Sequence, residues 1–197
     1  MNESGSTNSL LGVVLTGGRS ARMGQEKALL RHPNGGTFLQ HAVNRLAAIT
    51  TQVCIAGVCD PSDQLGVKVL PDSIKHAGPV TGIVGALTFL DSQITEQKDR
   101  SILVTPVDMP WLKESVLNDL VAAWQRNSKL TCLISQSGNR IQPLVAIYRL
   151  ADLNSLQVLA SSDDRSLYRW IKDREHQTVV ADDRSCHNVN TPEDLEV

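Results

Sequence analysis

The chain has 197 residues, 41% hydrophobic and 20% charged, with a formal net charge of −2. That balance excludes a collagenous or natively unfolded chain and leaves enough residues for one full hydrophobic core. It also lacks the overall basic field of a nucleic-acid binder, and no stretch approaches the roughly 18 apolar residues of a membrane helix, so neither partner is expected. Residues 1–9 are polar and rich in Ser and Asn, without the basic start and apolar run of a signal peptide. They are read as a tail, residues 10–197 as a single domain, and the cytoplasm as the compartment.

In chain order, residues 10–16 (LLGVVLT) form a short apolar run that stops at Gly17-Gly18, the pattern of a strand buried on both faces. Residues 37–48 place Phe38, Val43, Leu46 and Ala47 at approximately helical spacing, with Thr37 positioned as a cap. Residues 52–58 and 67–70 are further strands, and residues 82–90 a helix opened by the Gly78-Pro79 turn. Residues 101–107 (SILVTPV) form another strand, followed by a helix over 111–124. Strands over 130–135 and 144–148, helices over 151–159 and 166–172, and a last strand over 178–180 complete the chain. Alternating strands and helices predict a three-layer, Rossmann-like α/β fold with a mostly parallel sheet. In such sheets ligands bind beyond the carboxyl ends of the strands, near the reversal of strand order.

The four cysteines, Cys54, Cys59, Cys132 and Cys186, show no C-x-x-C spacing and are read as reduced thiols. The five histidines are scattered, with no recognised ligand spacing. Chemistry concentrates instead after three strands. The first site runs from Gly17 and Gly18 through Arg19 and Arg22 to Lys27. Adjacent glycines admit a close ligand, their N–H groups can wrap oxyanions, and three cations in one loop suit a triphosphate. The segment matches neither the P-loop nor the G-x-G-x-x-G pattern, and a solvated connector is the competing reading. The second site is Asp72 with Gly78-Pro79-Val80-Thr81-Gly82, a turn feeding a helix N-terminus or an ordinary strand-to-helix connection. The third is Asp108, a lone acid at the end of an apolar strand between Pro106 and Pro110. A hard cation would be its natural partner; capping the helix expected near Trp111 is the alternative.

These residues carry a resemblance. GGRSARMGQEK at 17–27 is similar to the signature loop GGxSxRMGxDK of the molybdenum cofactor guanylyltransferase (MobA) family. GPVTG at 78–82, VDMP at 107–110, QPLVAIYR at 142–149 and NVNTPEDL at 188–195 agree in order and spacing. The loop is shared with cytidylyltransferases and sugar-phosphate nucleotidyltransferases, whereas the NVNTPEDL tail favours the molybdenum cofactor branch. Glu26 stands where the family usually has Asp, and Thr16 where it usually has Ala.

The resemblance implies transfer of GMP from GTP to molybdopterin, with Mg²⁺ as cofactor and pyrophosphate as product. Carried over by position, Leu15, Thr16, Gly17 and Gly18 would contact the nucleotide and Lys27 its phosphates, with Arg22 also countering charge. Asp72 would contact the guanosine part and Asp108 would ligate the metal. Gly82, Asn188 and Asn190 are candidates for the acceptor side. For Thr191 a helix cap, with Asp194 three residues on, competes with that role. Molybdoenzyme-maturation proteins are the expected protein partners. The alternatives are another nucleotidyltransferase on the same fold, using CTP or a sugar phosphate, and a non-catalytic nucleotide-binding module. The presence of both Lys27 and Asp108 disfavours the module.

Overall fold

A computed structural model describes residues 10–16, 27–57, 65–70, 78–93, 100–191 and 194–195. Gly17, Gly18, Arg19, Arg22, Cys59, Asp72 and the tail over 1–9 lie outside the described residues. Among these residues seven strands form one sheet: β1 (Leu10–Leu15), β2 (Gln52–Ala56), β3 (Lys68–Leu70), β4 (Ser101–Pro106), β5 (Leu130–Ser135), β6 (Ile141–Arg149) and β7 (His176–Ala181). Their order is β3-β2-β1-β4-β6-β5-β7, and only β6 runs against its neighbours. The mostly parallel α/β reading therefore holds. The chain builds outward from β1 through β2 to β3, then returns to place β4 on the other side of β1. The reversal of strand order falls between β1 and β4, and in sheets of this kind ligands bind beyond the carboxyl ends at that point.

Among the described residues five α-helices cover the sheet: α1 (Phe38–Ala47), α2 (Pro79–Ser92), α3 (Glu114–Asn127), α4 (Leu153–Ser161) and α5 (Leu167–Lys172). Strand alternation sends Val14, Ile55 and Leu103 to one face, against Phe38, Leu46, Leu117 and Trp124 of α1 and α3. Leu11, Val13, Ile102 and Val104 go to the other, against Ile83, Leu87, Leu156 and Trp170 of α2, α4 and α5. Both faces are dry, which is why β1 and β4 read as unbroken apolar runs.

Several boundaries differ from the sequence expectation for local reasons. The α2 helix starts at Pro79, three residues early, because a proline at the first helical position forfeits no hydrogen bond. The helix expected from Trp111 starts at Glu114 instead. Trp111 and Leu112 stay in a turn whose Leu112 N–H meets the Met109 carbonyl at 3.3 Å, and Lys113 is extended. The β6 strand is longer than expected despite Pro143. Its register slips between Cys132 and Leu133 of β5, so that a residue without an N–H donor is passed over. Thr37 caps α1 as expected, its hydroxyl accepting from Gln40 N–H while Gln40 Oε1 accepts from Thr37 N–H.

Gly12 lets α1 close onto β1. A Cβ there would meet Thr50 Oγ1 at 2.7 Å and Leu46 Cβ at 3.2 Å. Thr50 cannot easily yield, since its hydroxyl donates to Leu46 O at 2.9 Å. Gly12→Ala should therefore lower stability by about 1–3 kcal/mol in urea unfolding. Adding Thr50→Ala should cost less than the two single changes combined. Strict additivity would show that the close approach is not what Gly12 provides.

Candidate active site

The carboxyl ends of β1 and β4 are locked together, Leu15 lying opposite Pro106 and Val107 N–H donating to Leu15 O at 3.0 Å. One residue further on, Val107 and Met109 are both buried beneath the turn, so the side chain between them is pushed outward. That side chain is Asp108. It does not cap α3; its Oδ2 accepts a hydrogen bond from Lys27 Nζ at 2.8 Å. Lys27 opens a short 3₁₀ turn, Lys27–Leu29, that buries Ala28.

The same ammonium donates to Asn190 Oδ1 at 2.8 Å. Asn190 arrives on a segment stitched to the turn, with Val189 fully buried and its N–H donating to the Asp108 carbonyl at 2.8 Å. The carboxylate of Asp194 accepts from the N–H groups of Asn190 and Thr191 at 2.7 and 2.9 Å, and these bonds hold its pKa below the usual carboxylate value. Asp194 thus supplies the carboxylate half of the expected cap. Three segments distant in sequence meet on one lysine.

The other candidates fall at different distances from this centre. Thr16 continues β1, its N–H and hydroxyl both directed to the Ala56 carbonyl at 3.0 and 3.3 Å. The hydroxyl that the resembled family's usual alanine lacks is therefore satisfied within the sheet. Gly82 is buried as the fourth residue of α2. Asn188 is exposed, its carbonyl 3.5 Å from Asn190 Nδ2, and its side chain does not join the lysine cluster.

Asp108 and Asn190 offer only oxygen donors at the lysine. Among the described residues no three His, Cys, Asp or Glu side chains converge. One carboxylate and one amide oxygen do not make a protein cage for zinc or calcium. They fit a hard divalent cation that keeps water and substrate phosphate oxygens around one or two protein ligands.

Behind the turn lie two residues with no motif to flag them. Arg45 of α1 donates to the carbonyls of Met109 and Pro110 at 3.3 and 3.2 Å. Desolvation lowers its pKa to about 10, opposed by the charge of Glu114. His32 is buried, with Nε2 3.2 Å from the Pro110 carbonyl. Its Nδ1 accepts from Asn34 N–H at 3.1 Å, so the ring is neutral with its proton on Nε2.

Comparison with known proteins gives the family and supports the fold. The sequence pattern of the MobA-like NTP transferase domain matches residues 12–179, most of the chain. The chain belongs to this family. A relative from Rhodopirellula baltica, described as a probable molybdenum cofactor guanylyltransferase, is 40% identical over 94% of this chain and 90% of its own. A second with the same description, from Geobacillus, is 30% identical over 96% of this chain and 97% of its own. In fold, the chain is similar to molybdopterin-guanine dinucleotide biosynthesis protein A from Archaeoglobus fulgidus, with a TM-score of 0.72, 20% identity, and coverage of 94% of this chain and 95% of that one. It is similar too to a CMP:2-keto-3-deoxy-manno-octonic acid synthetase, at a TM-score of 0.70, 14% identity, and coverage of 96% of both chains. Lys27, Asp108 and Asn190 meet at the carboxyl ends of β1 and β4 in this sheet.

Burial holds the pKa of His32 below its ordinary value; the Pro110 carbonyl opposes the shift, while His41 and Arg45 add to it. The unfolded chain therefore takes up the proton first. Stability should be flat above about pH 6.5, the unfolded value, and fall as pH drops below it. Urea midpoints at pH 7.5 and 5.5 should differ more for the native sequence than for His32→Gln. Equal differences would mean that His32 is not the group being linked.

Proposed function

We propose that this protein is a nucleotidyltransferase that transfers GMP from GTP to the molybdopterin of the molybdenum cofactor and releases pyrophosphate. The observation that carries the reading is the convergence of Lys27, Asp108 and Asn190 on the strand-order reversal of a MobA-family sheet. The guanylyltransferase description of relatives that match nearly end to end supports the choice of base and acceptor.

The reaction needs no protein nucleophile. The acceptor phosphate is itself an anionic nucleophile. Its oxygen attacks the α-phosphorus of GTP in line, a new P–O bond forms, and the bond to the β-phosphate oxygen breaks to free pyrophosphate. The protein contributes alignment and charge neutralisation. Lys27 turns from Asp108 to the triphosphate, and Arg22 adds a second cation on the same loop. Gly17 and Gly18 let the backbone approach the phosphates, Leu15 and Thr16 border the nucleotide, and Asp72 meets the guanosine. Asp108 and Asn190 would hold Mg²⁺, which when bound supplies positive charge at the phosphates. Asn188 and Gly82 remain on the acceptor side of this reading. The free thiols of Cys54, Cys132 and Cys186 fit a reducing cytoplasm.

The direct test is GMP transfer from GTP to molybdenum-loaded molybdopterin by the purified protein. Lys27→Ala should lose at least about 100-fold in turnover while staying folded, as expected when a cation that meets the transition state is removed. Asp108→Asn keeps an oxygen acceptor but loses the charge a hard cation needs, so activity should collapse across a Mg²⁺ titration. Native activity and Mg²⁺ dependence in Asp108→Asn would remove the metal role. GTP with Mg²⁺ should also raise the melting temperature more than CTP at equal concentration. A preference for CTP would move the protein to the cytidylyl branch.

A further inference from the structure

The proposed reaction puts a demand on the resting site. Lys27 and Asp108 are bonded to each other at 2.8 Å, yet in the reaction one must face phosphate and the other a cation. Loading the site therefore opens the ion pair that joins the Lys27 segment to the Asp108 turn. Something else must hold those two segments in register once that bond is gone.

The structure contains such a hold. His32 lies five residues after Lys27, and Pro110 two residues after Asp108, so the His32 Nε2 to Pro110 carbonyl bond at 3.2 Å runs parallel to the ion pair. Arg45 adds two more bonds, to the carbonyls of Met109 and Pro110. The Lys27 segment is in turn fixed to α1. Phe38 N–H donates to the Leu30 carbonyl at 2.9 Å, His32 N–H to Gly36 O at 3.0 Å, and Arg31 pairs with Thr37. The His32 ring is itself wedged against His41, with ring centres 3.7 Å apart, and His41 is tied to the Gly35 carbonyl. The 3₁₀ turn, α1 and the clamp thus form one unit that grips the Asp108 turn by its main chain and leaves the carboxylate free. No carboxylate among the described residues lies within ion-pair distance of Arg45, so its guanidinium is committed to those carbonyls. A bond to a carbonyl does not compete with the substrate or its metal, which sets this clamp apart from the Lys27 bond.

We propose that His32 and Arg45 are positioning residues that keep the Asp108 turn aligned with Lys27 after the Lys27–Asp108 pair opens for nucleotide and metal. The inference rests on the nucleotidyltransferase reading and goes further by naming what holds the site in its loaded state.

The test uses the full chain and compares His32→Leu, His32→Gln, Arg45→Met and Arg45→Lys. Mn²⁺ binding in the presence of GTP is followed by electron paramagnetic resonance, and GMP transfer is measured alongside. His32→Leu and Arg45→Met should bind Mn²⁺ about tenfold more weakly and lose about tenfold in kcat, the scale on which supports of metal ligands act. KM for GTP should hold, because the nucleoside contacts lie elsewhere. His32→Gln, which retains a donor for the Pro110 carbonyl, should recover most of both quantities. A merely structural role would lower the melting temperature and leave Mn²⁺ affinity and kcat of the folded protein unchanged. That result, or a His32→Gln protein as impaired as His32→Leu, overturns the proposal. If Arg45→Met does not fold, Arg45→Lys and His32→Leu decide, and native values in both overturn it. Absence of GMP transfer by the native protein, with Mn²⁺ affinity still dependent on His32, would count against the function reading and leave the clamp standing.

Discussion

One ammonium group organises this site. Lys27 Nζ binds a carboxylate from the end of β4 and an amide oxygen from the segment after β7, and it reaches both from a turn that follows β1. In a half-buried setting an unpaired carboxylate is costly, so Asp108 needs a positive partner at all times. In the resting protein that partner is Lys27. Under the proposed function a divalent cation would take that place with nucleotide bound, and Lys27 would be free to face the phosphates. On that reading one electrostatic requirement would serve both the empty and the loaded site.

The sheet sets the geometry on which such an exchange would depend. Because β4 returns to the side of β1 opposite β2, their carboxyl ends lie together without a connecting loop between them. Val107 and Met109 are held in the core while Asp108 stands out of it, and the prolines on either side limit the backbone to extended and turn geometry. The clamp from α1 grips the following carbonyls, so rigidity resides in the main chain and freedom in the side chains. Precise placement of charge with a replaceable partner is what transfer between two polyanions requires.

Much of this was legible in the sequence. The apolar runs of β1 and β4 pointed to buried parallel strands, and the lone acid after SILVTPV marked the site, with a cation partner and a helix cap as its two readings. Thr37 announced the start of α1. What escaped were features with no periodic or motif signal. The β6 strand was underestimated because Pro143 argues against a central strand, and only a register slip accommodates it. The start of α3 was set too early because Trp111 and Leu112 continue an apolar pattern while serving as anchors of a turn. Arg45 and His32 could not be read at all, since their partners are main-chain carbonyls 64 to 78 residues away. Asn190 was visible in the family tail, but its meeting with Lys27 across 163 residues was not.

The proposed exchange of partners at Asp108 is open to direct observation. A crystal of the full chain grown with a non-hydrolysable GTP analogue and Mn²⁺, measured at the manganese edge, places the metal independently of the protein phases. The expected anomalous peak lies against the Asp108 carboxylate and the Asn190 amide oxygen, at about 2.2 Å, with Lys27 Nζ moved away from Asp108 and onto a phosphate oxygen. A peak elsewhere, with Lys27 and Asp108 still bonded at 2.8 Å, would contradict it.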